Sequence, residues 1–330
     1  MDRSVETVRR EVGARLAPGD LWMLNAPYNG GTHLPDITVV TPVFATSGTD
    51  ILFFVAARGH HADIGGIAPG SMSPKATRIE EEGVYIDPFK LVEGGRFREE
   101  AALELLMQGP YPARDPAQNI ADLKAQAAAN AKGVEELGKM VAQYGLGVVQ
   151  AYMGHVQDNA AASVARVIEQ LRPSSFAVET DTGAHIKVAI SVDRAVPKAI
   201  VDFTGTSGQQ PDTFNAPEPI TRACALYVFR TLVDDDIPLN AEVPSTHRDC
   251  CSGRFDVEPS LSSSGRRRQC RDEPDHSELP LWRASSARLG AGHHEQSHLR
   301  QCALPILRDD LLGRAARVQA STGRPRCRRT

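Results

Sequence analysis

Two runs of β-forming residues, ITVVTPVF (37–44) and ILFFVAAR (51–58), are separated by a short segment in which SGTD supplies hairpin chemistry. That pattern predicts an antiparallel pair and limits how the first half of the chain can fold. Each run adjoins a glycine-rich loop: NGGTHLPD precedes the first, and GHHADIGGIAPGSMSP follows the second. In an antiparallel pair those two loops meet at the same end. The hairpin therefore brings two polar, turn-forming segments toward one region.

Those loops carry the candidate chemistry. His33 and Asp36 form one H-x-x-D unit, and His60 and Asp63 form another. Imidazole and carboxylate together suit zinc, manganese or iron, with carboxylate favouring the harder ions. Two histidines and one carboxylate leave coordination positions open for water or substrate, as metal-assisted hydrolysis requires. The glycines around them let the backbone turn tightly and approach a ligand. Spacing alone also fits a plainer role, in which His and Asp cap turns in polar loops. Arg58 is placed to grip a substrate carboxylate bidentately or to form a surface salt bridge. Arg58 and Asp63 are the candidate catalytic side chains. Glu80, Glu81 and Glu82 fit a solvated charge run, Asp202, Thr204 and Asn215 fit turn formers, and Cys224 is expected on the core face of a helix.

The remaining elements follow from periodicity. Residues 1–16 predict an amphipathic helix through Val5, Val8, Val12 and Leu16. Asp115-Pro116 is a helix start, with a capping carboxylate followed by proline at the first helical position. An alanine-rich helix runs from there to about Gly145. A second ends before Pro173, and together they form a helical hairpin without a sustained heptad. HIKVAISV and KAIVDFTG alternate as two antiparallel strands, and TRACALYVFRTLV predicts a helix. The fold class is α+β.

Composition breaks near residue 241. All seven lysines lie at or before Lys198, whereas about sixteen arginines and five of the six cysteines (Cys250, Cys251, Cys270, Cys302, Cys327) follow Ala241. No CxxC pair occurs there, and no cysteine pair stands near His293, His294 and His298 to complete a zinc site. A shifted reading frame explains the segment better. RRQCRDEPDHSELPLWR can be encoded so that a one-nucleotide shift gives GGNVETSQTILNCLYGA. The same offset turns HEQSHLRQ into MNNLTFGN. The expectation is a domain over 1–241 and an out-of-frame tail over 242–330 that packs no consistent core.

Some function classes drop out. A net charge of −4 and a pI near 6.2 give no global attraction to nucleic acid or acidic membranes. No apolar run is long enough to span a bilayer, and the charged start MDRSVETVRREVGARL has no secretory core, so a cytoplasmic location is expected. P-loop, dinucleotide and nucleophile-elbow motifs are missing from the sequence, so no nucleotide site is expected on this chain.

Longer stretches carry a more specific message. NAPYNGGTHLPDITVVTPVF, FFVAARGHHADIGGIAPGSM, EEGVYIDPFKLVEGG, PARDPAQNIADLKAQAAAN, VDFTGTS, FNAP and LYVFRTLVDDDIPLN resemble, in order, the hydantoinase B/5-oxoprolinase family. The resemblance covers residues 1–241. It implies an ATP-dependent cyclic amidohydrolase that opens 5-oxoproline or hydantoin-like rings beside an ATP-binding hydantoinase A-type partner. Relatives in the family carboxylate acetone or acetophenone, which makes a carboxylase α-type subunit the alternative activity. An inactive remnant of a damaged gene is the other alternative. The resemblance further implies a divalent metal held by His33, Asp36 and His60, with His61 competing with His60 for the role. Two departures stand out. Ala26 occupies a position that is acidic in the family pattern NDPY, which removes a contact to substrate or to a site residue. The family pattern also begins upstream, so Met1-Asp2 is expected to start inside a domain.

Overall fold

The computed structural model describes residues 1–233, apart from Val196 and Phe214, together with the backbones of Ser245–Asp249 and Arg254–Glu258. The chain opens with helix α1 (Asp2–Glu11), which ends where Gly13 takes a positive φ of 50° and starts a 3-10 turn. The helix expected over residues 1–16 is therefore shorter than its apolar spacing suggested. Strands β1 (Leu21–Leu24), β2 (Asp36–Phe44) and β3 (Ile51–His60) follow. A short helix α2 (Ile79–Glu82), strands β4 (Phe89–Glu93) and β5 (Arg96–Phe97), and helix α3 (Glu99–Leu106) lead to the helical hairpin. Its arms are α4 (Pro116–Tyr144) and α5 (Leu146–Gln170). Then come β6 (Ser174–Glu179), β7 (His185–Asp193), β8 (Lys198–Asp202), α6 (Glu218–Leu232), β9 (Ser245–Asp249) and β10 (Arg254–Glu258).

The strands form two antiparallel sheets, in the orders β3-β2-β1-β4-β5 and β6-β7-β8-β10-β9. Alternation along the strands divides the first sheet into two buried faces. Met23, Ile37 and Val39 pack with Leu91, Leu106 and Leu123, beneath α3 and α4. Trp22, Leu24 and Val40 face the other way and meet Val8 and Val12 of α1. Burying a side chain such as Leu123 contributes about 1.5–3 kcal/mol, and the two-sided cover explains why β1 has no exposed residue. The second sheet packs Ala199 and Val201 on Val164 and Ile168 of α5 and on Phe229 of α6.

Helix α4 begins as its capping chemistry requires: the Asp115 carboxylate accepts the backbone N–H of Gln118 at 3.1 Å, and Pro116 is the first helical residue. Gly145, at φ 84°, separates it from α5. The far end of the hairpin exposes Met140, Tyr144, Val148 and Tyr152.

One expectation needs correction. Cys224 lies on the exposed side of α6, because the helix buries Phe229 and turns Cys224 to solvent. In the segment after residue 241, the backbones of β9 and β10 continue the second sheet from β8. The rest of the predicted out-of-frame tail lies outside the described residues.

Candidate functional site

The β2–β3 register builds the site. Asp36 pairs with His60, Ile37 with Gly59, and Thr38 with Arg58. Directly paired residues project from the same face of a sheet. Asp36, Thr38, Arg58 and His60 therefore share the face covered by α1, whereas Ile37 and Gly59 face α4. The hairpin ends in its two polar loops at this point, as the sequence predicted.

The loop before β2 is held by buried side chains. Asn25 donates through Nδ2 to the carbonyls of Leu34 at 2.8 Å and Val84 at 2.9 Å, and its Oδ1 accepts the N–H of Ile86 at 2.7 Å. Gly31 lies so close to this crossing that a Cβ would collide with the Asn25 carbonyl. Ala26, at the position that is acidic in the family pattern, is fully buried.

His33, Asp36 and His60 come together. His60 Nδ1 is 2.8 Å from Asp36 Oδ1, and His33 Nε2 is 4.0 Å from Asp36 Oδ2. The two imidazoles meet edge to face, with centroids 6.4 Å apart and planes at 84°. His60 is the outermost, with its side chain 53% exposed against 18% for Asp36. Burial lowers the His33 pKa below its usual value, with Asp36 opposing, so its ring is neutral near pH 7. Burial would raise the Asp36 carboxyl, but hydrogen bonds from Thr32 and His60 and the nearby imidazoles outweigh it and hold it below the ordinary value. Neutral imidazole and ionised carboxylate are the protonation states that ligands to a divalent cation require. Among the described residues, no three His, Cys, Asp or Glu side chains stand as a ready-made metal cage.

Arg58, two residues before His60 on β3, is hydrogen-bonded within the protein. Its guanidinium donates to Thr38 Oγ1 at 2.7 Å, Thr32 Oγ1 at 3.3 Å, Ser4 Oγ at 2.9 Å and the Gly30 carbonyl at 3.2 Å. The Thr32 hydroxyl in turn donates a hydrogen bond to Asp36 Oδ2 at 2.6 Å. Four N–H···O contacts leave Arg58 little capacity for a bidentate grip on substrate, and they link α1 and the Gly30 loop to Asp36.

Asp63 stands apart from the cluster and organises the following loop. Oδ1 accepts the N–H groups of Gly65 at 2.9 Å and Arg114 at 3.2 Å; Oδ2 accepts Gly70 N–H at 2.9 Å and Arg114 Nη1 at 2.7 Å. Burial would raise its carboxyl, but these donors prevail and lower it. Gly65 takes φ 95°, and a Cβ there would strike the Tyr111 carbonyl. In the exposed charge run, Glu81 accepts the backbone N–H of Thr77 at 2.7 Å.

Sequence reasoning missed the amides of α4. Asn119, Gln126 and Asn130 are buried on the stripe that also carries Leu123. Gln126 donates to the Ile37 carbonyl at 2.9 Å, and Asn130 to Val55 O and Thr41 Oγ1 at 3.1 Å. The available signal was polar amides at i, i+7 and i+11 on the apolar face of an alanine-rich helix. His61 turns inward to this stripe.

The chain is 42% identical over 238 residues to 5-oxoprolinase of Saccharomyces cerevisiae, covering 68% of this chain and 18% of that enzyme. It is 33% identical over 148 residues to the caprolactamase subunit beta of Pseudomonas jessenii, covering 45% of this chain and 24% of that subunit. The solved ATP-dependent caprolactamase of that organism superposes with a TM-score of 0.59 at 25% identity, over 71% of this chain and 40% of the solved one. A nucleotide-free acetone carboxylase shares the fold, with a TM-score of 0.62 at 17% identity over 72% of this chain and 34% of the other. The chain thus spans about a fifth of the length of the oxoprolinase. Residues 1–243 match the hydantoinase B/oxoprolinase family, and the chain belongs to that family.

Proposed function

We propose that this chain supplies the amide-opening site of an ATP-dependent cyclic amidohydrolase acting on 5-oxoproline or a hydantoin-like ring. The observation that carries this reading is the juxtaposition of His33, Asp36 and His60 by the β2–β3 register. Its support comes from the oxoprolinase and caprolactamase relatives. ATP is used on a hydantoinase A-type partner, a division of labour suited to a chain without a nucleotide-binding motif. The same reading places the enzyme in the cytoplasm. A ketone carboxylase role has the shared fold behind it and nothing more specific.

His33, Asp36 and His60 would hold a divalent cation. Such an ion polarises a carbonyl or lowers the pKa of water. His60 spends Nδ1 on Asp36 and keeps Nε2 for a ligand. Arg58 acts through Thr32, whose hydroxyl it engages, and so orients the Asp36 carboxylate. Asp63 shapes the 65–70 loop beside the site.

Isothermal titration of the full chain with zinc or manganese tests the centre, with His33→Ala/Asp36→Ala as the comparison. One equivalent bound by the parent and none by the double variant is expected; equal binding by both sinks the ligand assignment. Reconstitution with an A-type partner, 5-oxoproline and ATP tests the reaction, with ring opening coupled to ADP release as the expected result.

A further inference from the structure

His60 ends β3 and His61 follows it, and only His60 faces Asp36. His61 is 1% exposed and points toward α4. Its Nδ1 lies 3.1 Å from Asn119 Nδ2, and its Nε2 lies 3.2 Å from Gln126 Oε1. Neither amide can be reversed without loss. Gln126 Nε2 already donates to the Ile37 carbonyl, and Asn119 Nδ2 also donates to the Asp63 carbonyl at 2.9 Å. Asn119 therefore offers an N–H to Nδ1, and Gln126 offers a lone pair to Nε2. Only a neutral ring protonated at Nε2 satisfies both. Space for this arrangement comes from Gly59, where a Cβ would approach Gln126 Nε2 to 3.0 Å.

Both ring nitrogens of His61 are thus used inside the protein, and its backbone N–H donates to the Pro35 carbonyl at 2.9 Å. Strand alternation then sends His60 to the opposite face. A slip of one residue would exchange the two imidazoles and present the wrong one.

We propose that His61, locked between Gln126 and Asn119 of α4, is a positioning residue that fixes the end of β3 so that His60 is the imidazole facing Asp36. This inference rests on the metal-centre reading of His33, Asp36 and His60. It assigns α4 a role in the site through a residue that itself touches no substrate. Outer partners of this kind typically contribute 10–100-fold to metal affinity.

The test uses the full chain and zinc alone. Gln126→Met removes the acceptor for His61 at similar volume. Asn130→Met removes a comparable buried amide that binds β2 and β3 but not His61. Zinc affinity is expected to fall 10–100-fold for Gln126→Met and to stay within about threefold for Asn130→Met. Equal losses in both variants, or none in Gln126→Met, overturn the proposal. Should Gln126→Met fail to fold, 15N spectra of histidine-labelled parent protein decide. His61 is expected to keep one Nε2–H tautomer before and after zinc, while His33 and His60 shift. A His61 ring that exchanges tautomers or shifts with zinc overturns the proposal. If neither His33 nor His60 responds to zinc, the metal-centre reading fails instead.

Discussion

Replacing Asp63 with Asn tests whether this residue clamps the loop. Both Asp63 oxygens face donors only: Gly65 and Arg114 N–H on one, Gly70 N–H and Arg114 Nη1 on the other. Either orientation of an Asn amide sets an NH2 against two of those donors. Two hydrogen bonds are lost, and the Arg114 pairing is discounted because that side chain is 40% exposed. At about 1–1.5 kcal/mol per part-buried bond, the loss is about 2–3 kcal/mol. For a domain of this size that lowers Tm by roughly 4–12 °C, measured by circular dichroism at pH 7. The pH dependence has a definite sign. The folded Asp63 pKa is depressed, so its stabilisation is fully present above the unfolded value of about 3.9 and is lost as pH falls through the folded value. The gap between parent and Asp63→Asn should therefore be constant near neutrality and close below about pH 4. A Tm within 1 °C of the parent at pH 7, or a gap that persists unchanged to pH 3, would refute the reasoning.

Arg58→Lys keeps a charge but cannot reproduce contacts to Thr38, Thr32, Ser4 and Gly30 together. The expected cost is about 2–3 kcal/mol in urea unfolding, with weaker zinc binding through Thr32 and Asp36. Unchanged stability would mean that these contacts contribute nothing. The shifted-frame proposal for residues 242–330 is decided by the nucleotide sequence. A single-nucleotide indel is expected near codons 238–246, and the shifted frame should spell the GGN-containing text inferred from RRQC. A shifted frame that spells neither this stretch nor the MNNLTFGN stretch removes the proposal.

Much of the first lobe was legible because its signals are local. Turn chemistry between two β-rich runs predicted the hairpin, and Asp115-Pro116 marked the start of α4. His33, Asp36 and His60 were also within reach, because each sits on a loop or strand end adjoining that hairpin. Cys224 was misplaced because apolar composition around a helix does not say which side a sheet covers.

The sequence by itself determined the antiparallel hairpin, the long capped helix, the family and the residue types at the site. Only the tertiary structure decided which of two adjacent histidines faces Asp36, and that Arg58 and Asp63 spend their hydrogen bonds on the protein. The reason is distance along the chain. Gln126 and Ile37 are 89 residues apart, Asn119 and His61 are 58 apart, and Arg114 and Asp63 are 51 apart. No local pattern encodes those partners; packing α4 and the loop before it against the hairpin creates them.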